Sequence, residues 1–93
     1  MSILVRFTPA SAVTTEQYDE TISRLQSDGS AFPPDGLEYH CAFTSDGVLR
    51  VSEIWDSQEK FQAFGPRLMP ILSEVGIDPG QPEILQVHNT ISL

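Results

Sequence analysis

The residues best suited to chemistry lie in Arg50–Ser57, which reads R-V-S-E-I-W-D-S. Its alternation is that of a β-strand, so Glu53 shares a face with Val51 and Trp55. A carboxylate walled in by apolar groups is a candidate general acid or base near neutral pH. Tyr39 joins this constellation if the preceding strand pairs with this one in the matching register. The structural alternative is that Glu53 accepts a hydrogen bond from Tyr39 or a helix end, or reaches solvent.

The other reactive side chains carry weaker signals. His40 and His88 are the two histidines, and they fall on strands expected at opposite edges of the sheet. They are too far apart for one protomer's metal site, and no Cys or Asp stands at ligand spacing, so no metal and no cofactor is expected. The two edges approach each other only in a dimer, where His40 and His88 become candidate interface residues. The single cysteine, Cys41, has no internal disulfide partner and reads as a small buried hydrophobe. His40 beside it points to the opposite face of a strand, so the two do not form a nucleophile–base pair. Ser11, Ser52 and Ser57 lie in no G-x-S-x-G context, and S-D-G-S-A-F-P-P-D-G lacks the Gly-Lys-Ser/Thr ending of a phosphate loop.

These residues must be positioned by 93 residues, the size of one domain spanning 1–93, for which association adds useful buried area. A net charge of −8 repels phosphate backbones and anionic lipid, which argues against nucleic acid and membrane surfaces as partners. The N-terminus M-S-I-L-V-R-F-T has no basic region leading into a long apolar stretch, and a cytoplasmic location is expected.

Residues 2–8 read as a first strand ending before Pro9. Thr14 and Gln17 form a capping box, Val13 staples onto Tyr18, and Tyr18, Ile22 and Leu25 make one apolar stripe of a first helix that stops at Gly29. After the turn-rich S-A-F-P-P-D-G come two strands, Leu37–Thr44 and Val48–Trp55, joined at S-D-G. Asp56 or Ser57 caps a second helix, with Glu59 favouring Asp56, and Phe61, Phe64 and Leu68 on its apolar face. Gly65, Pro66 and Pro70 interrupt that helix, so a kink or two short helices are expected, with a cavity near Trp55. Glu83–Ile91 reads as the last strand. The order is βαββαβ: a ferredoxin-like α+β fold with a four-stranded antiparallel sheet, order β4-β1-β3-β2, and both helices on one face.

The hairpin register decides the faces. A three-residue S-D-G loop sets Tyr39 opposite Glu53; a two-residue D-G loop sets His40 there instead. The first groups Leu37, Tyr39, Cys41, Phe43, Leu49, Val51, Glu53 and Trp55 on the helix side and gives the cleaner apolar segregation, so it is the expected register. The face away from the helices then carries His40 and Arg50 among Ala42, Val48 and Ile54. Its leftover apolar surface calls for a cover, most simply a second copy of the chain, with His40 and Arg50 at the contact.

The chain resembles the dimeric α+β barrel superfamily that includes the antibiotic-biosynthesis monooxygenases. The resemblance spans nearly the whole chain. It rests on the element order, the length and the junction V-S-E-I-W-D-S-Q-E-K-F-Q-A-F, similar to that group's Glu-x-Trp strand end before a Ser-capped helix. The Y-H-C-A-F strand and L-M-P-I-L helix resemble one small subgroup most. The resemblance implies a homodimer with a cavity between each sheet and its helices. It also implies activities that range from oxidation without metal or flavin through haem degradation to cyclisation or isomerisation, and fold alone does not choose among them. Trp55 matches the tryptophan of the haem-degrading members. Their first-strand Asn and helix His have no counterpart in L-V-R-F and F-Q-A-F-G-P-R-L, which argues against haem. The expected protein is thus a barrel holding a small apolar or aromatic molecule beside Glu53, Tyr39 and Trp55, with Phe61, Phe64 and Leu68 as further pocket wall. The alternative is a non-catalytic binding or interaction protein of the same fold.

Overall fold

In the computed structural model, which describes residues 1–92, the elements are β1 (Ile3–Phe7), α1 (Thr15–Ser27), β2 (Leu37–Ser45), β3 (Val48–Trp55), α2 (Gln58–Val75) and β4 (Glu83–Gln86). The sheet is antiparallel throughout, in the order β2-β3-β1-β4. This is the expected ferredoxin-like arrangement.

Local signals account for the helix ends. Thr14 accepts from the Gln17 amide at 3.0 Å while the Gln17 side chain accepts from the Thr14 amide at 3.0 Å, a reciprocal capping box. The same Gln17 side chain donates to the carbonyls of Val75 and Gly76 at the far end of α2, tying the two helices antiparallel. Ser57, not Asp56, caps α2, because its hydroxyl reaches the Lys60 amide. Gly76 closes that helix at φ 91°, with its own amide and that of Ile77 returned to Ser73 and Leu72.

Two expectations are corrected here. First, α2 is one continuous helix through Pro66 and Pro70. Both prolines, and the Gln62 carbonyl that Pro66 leaves without its usual donor, lie on the exposed side, where water serves the carbonyl. The opposite side, Phe64 and Leu72, is buried and holds the helix to the sheet. Second, β4 ends at Gln86, so His88 lies beyond the sheet in an exposed segment.

The hairpin register is also the reverse of the expected one. Asp46 and Gly47 both have positive φ, 52° and 76°, the signature of a two-residue type I′ turn whose twist matches the strands it joins. Ser45 therefore faces Val48, Thr44 faces Leu49, and His40 faces Glu53. A bulge between Leu37 and Tyr39 then restores Leu37 to its place opposite Trp55. As a result β2 turns His40 and Ala42 toward the helices and Tyr39, Cys41 and Phe43 away from them.

Ile3, Val5, Leu25, Trp55 and Phe64 form the buried core. Trp55 has no exposed surface and packs between Phe61 and Phe64, with ring centroids at 5.8 and 5.5 Å. Burying a side chain of this size contributes several kcal/mol at about 25 cal/mol per Å² of apolar area.

Candidate functional site

The register places one row of side chains across the helix-side face: His40 on β2, Glu53 on β3, Val5 on β1 and Ile84 on β4. Glu53 is 7% exposed in this row, which raises the question of how a carboxylate is tolerated there. Both of its oxygens are occupied. Oε1 accepts from the Trp55 indole N–H at 3.0 Å, and Oε2 accepts from His40 Nδ1 at 2.6 Å. The other imidazole nitrogen, Nε2, lies 2.7 Å from the Tyr18 hydroxyl on α1. Because a carboxylate only accepts, Nδ1 carries the proton, and in the neutral imidazole Nε2 accepts from the Tyr18 O–H. Burial pushes the Tyr18 phenol above its ordinary value, and the negative charge of Glu53 adds to that.

Of this chain of four side chains, Trp55–Glu53–His40–Tyr18, the last three form one wall of a cavity of about 300 Å³. His40, Glu53 and Tyr18 line it; Trp55 stands behind, in the core. The remaining wall is almost wholly apolar. Leu49, Val51 and Phe7 form the sheet side, Phe64, Leu68 and Leu72 come from α2, and Phe32 and Pro34 come from the α1–β2 connection. Among the described residues that line the cavity there is no Lys and no Arg, so the Glu53 carboxylate has no cationic side chain of that kind facing it there.

The sequence-predicted pocket residues divide accordingly. Glu53, Phe64 and Leu68 line the cavity. Tyr39 does not, because the two-residue turn puts it on the far face, 50% exposed. Trp55 and Phe61 are core neighbours of the cavity rather than part of its wall. The cavity lies over the middle of the sheet rather than at the Trp55 end, and Gly65 and Pro66 take no part in it. His40 is corrected from the outer face to the heart of the site. Tyr18, expected from the sequence only as a helix-stripe residue, joins the cluster through its contact with His40. The D-G dipeptide was the available signal for His40, since it marks a two-residue hairpin.

The outer face is more apolar than expected. Tyr39, Ile54, Leu4 and Leu85 sit side by side in a row that crosses all four strands, and Leu85 is 43% exposed. Arg50 lies on this face opposite Phe43, and its buried Nε has no hydrogen-bond partner among the described residues. Among the described residues no group of three or more His, Cys, Asp or Glu is placed to hold a metal ion, and no helix is long and apolar enough to cross a membrane.

The fold is that of the antibiotic-biosynthesis-monooxygenase-like proteins, a ferredoxin-like class. SnoaB from Streptomyces nogalater, described as a cofactor-independent oxygenase, is 14% identical, with 97% of this chain and 94% of that one superposed at a TM-score of 0.61. Rv0793 from Mycobacterium tuberculosis is 19% identical over 98% of this chain and 97% of its own, also at 0.61. A dimeric ferredoxin-like protein of unknown function from Thermobifida fusca is 19% identical over 91% and 88%, at 0.53. No protein-family profile and no curated protein sequence matches the chain.

Proposed function

We propose that the chain is a cytoplasmic homodimer that binds a small apolar or aromatic molecule in the cavity between sheet and helices and acts on it by proton transfer without a cofactor. The observation that carries this reading is the convergence of the cavity's polar groups on one spot. An apolar chamber of about 300 Å³ holds His40, Glu53 and Tyr18 in hydrogen-bond contact on a single wall. In this arrangement His40 is the proton acceptor. Glu53, the catalytic candidate from the sequence, fixes the imidazole tautomer and stabilises the imidazolium once a proton arrives. Removing a proton from a bound phenol or carbon acid is the first step common to oxygenation without cofactor, to isomerisation and to cyclisation.

The dimer part of the proposal is supported by the apolar row Tyr39–Ile54–Leu4–Leu85, by the buried Arg50 Nε on the same face, which has no hydrogen-bond partner among the described residues, and by the description of the Thermobifida fusca protein as dimeric. Arg50, on β3 of the outer face, fits the contact, and His88, just past the edge strand β4, is a second candidate for it. One observation favours a second reading, in which the protein binds but does not turn over: every member of the His40–Glu53–Trp55 cluster is already hydrogen-bonded within the protomer. A screen of small aromatic compounds by NMR tests the shared core of both readings. Shifts confined to the methyls of Leu49, Val51, Leu68 and Leu72 are expected; a screen that leaves those methyls unmoved overturns the cavity assignment.

A further inference from the structure

Resting on the cavity reading above, we propose that the connection Asp28–Gly36 between α1 and β2 is a hinged flap over the cavity, that Arg67 on α2 is its latch, and that small molecules enter and leave on this side.

The parts of the cavity wall are held in different ways. The strands are hydrogen-bonded to their neighbours in the sheet. The two helices are tied to each other through Gln17 and through the Arg24–Glu74 ion pair. Where Pro9 and Pro79 stand, the two loops are joined backbone to backbone, the Ala10 amide donating to the Asp78 carbonyl at 3.0 Å. Gly80 there lies so close to the Thr8 carbonyl that a Cβ would meet it at 2.8 Å.

The Asp28–Gly36 connection is held to α2 chiefly by one side chain. Arg67 Nε and Nη2 donate to the two carboxylate oxygens of Asp28 at 2.7 and 3.0 Å. Nη2 also donates to the Leu25 carbonyl at 2.9 Å, and Nη1 to the Ala31 carbonyl at 2.7 Å. A single planar guanidinium thus grips the end of α1 and the start of the connection together. The far end is anchored by backbone: the Asp56 amide donates to the Gly36 carbonyl at 2.8 Å. Gly36 has φ 91° and lies against the Lys60 stem, a glycine conformation suited to a hinge. Between these ends Pro33 and Pro34 have no N–H with which to bond a neighbour.

What the flap separates gives it a role. Pro34 and Phe64 line both the cavity and a second hollow of about 210 Å³ on the outer side of the connection. Phe64 is fixed, buried on α2 with the Arg67 guanidinium 5.6 Å from its ring centre. Pro34 is carried by the connection, so lifting that segment about Gly36 joins the cavity to the hollow and thence to solvent. The motion uncovers Phe32 and Pro34 and leaves the Trp55–Phe64 packing in place, whereas parting the helices from the sheet would break it. Arg67 does not line the cavity; it positions the piece of wall that closes it.

Two measurements on the full chain test this, with Arg67→Met removing the latch and Arg67→Lys keeping its charge without its fork. The first is amide hydrogen exchange at Leu37, whose N–H donates to the Pro34 carbonyl at 3.2 Å. Arg67→Met is expected to speed Leu37 exchange at least about tenfold more than it speeds the Val5 and Glu53 amides, the fold-change of a lost charged hydrogen bond, with Arg67→Lys in between. Equal acceleration at all three sites means general loosening and overturns the flap, and Arg67→Lys exchanging like the parent overturns the fork as the latch. The second uses naphthalene as probe, its on- and off-rates read from line shapes of the Leu68 and Leu72 methyls. Both rates are expected to rise about tenfold in Arg67→Met while Kd stays within about twofold, the signature of a gate. Naphthalene that binds with unchanged rates overturns the route and leaves the cavity reading standing. Naphthalene that binds none of the three proteins sinks the cavity reading and the route with it.

Discussion

Replacing Glu53 by Gln tests whether the buried acid is a built part of the site. The carboxylate accepts two hydrogen bonds, from Trp55 Nε1 at 3.0 Å and His40 Nδ1 at 2.6 Å. Bonds to a charged group contribute about 1.5–3 kcal/mol and neutral ones about 1, so turning both neutral removes roughly 2 kcal/mol. Relief from burying a charge returns part of this, leaving a net loss of about 1–2 kcal/mol. For a chain of this size that lowers Tm by roughly 5–12 °C, measured at matched protein concentration because association shifts Tm as well. The amide also forces a rearrangement. Its oxygen keeps the Trp55 indole and its NH2 then faces His40 Nδ1, which must become an acceptor, so the imidazole proton moves to Nε2 and points at Tyr18. The ¹⁵N shifts of the His40 ring report this tautomer change directly. A Glu53→Gln protein as stable as the parent or more so, or one whose His40 keeps its proton on Nδ1, refutes the reasoning and leaves Glu53 as a tolerated core acid.

Gly47→Ala places a side chain at φ 76° with no atom within 4 Å of its Cβ, so strain alone should cost about 1–2 kcal/mol, read from urea unfolding; unchanged stability would show that the turn relaxes to another type. Ile54→Glu puts a charge in the middle of the apolar row on the outer face and should shift light scattering from dimer to monomer, and Arg50→Glu should weaken association less; a parent protein that stays monomeric at high concentration defeats both. Asp28 is held below the usual carboxylate range, chiefly by its hydrogen bonds from Arg67 and then by the Ser30 amide. The folded state thus resists protonating Asp28, and the stability this supplies is present above about pH 4 and lost as pH falls through the lowered value. Arg67→Met should flatten that acid limb, and an acid limb identical to the parent's would assign it to other carboxylates.

The element order, the Thr14 and Gly76 caps and the sheet order were determined by local pattern. Thr14 with Gln17 and Gly76 with its left-handed conformation mark helix ends through groups a few residues apart, and two right-handed crossovers leave one sensible strand order. Glu53 stood out for the same reason: alternation within one strand places it between Val51 and Trp55 whatever the rest of the chain does. What tertiary structure decided is which residues meet Glu53. A strand repeats every two residues, so one residue more or less in the Asp46–Gly47 turn exchanges the faces of β2, and apolar segregation was a poor guide because the outer face is apolar too. That exchange put His40, instead of Tyr39, opposite Glu53. Tyr18 reached His40 only through the packing of α1 on the sheet, across 22 residues of chain. Periodicity within one segment says which side chains share a face; it carries no information about which face of a neighbouring segment they will touch, and the site is made of those contacts.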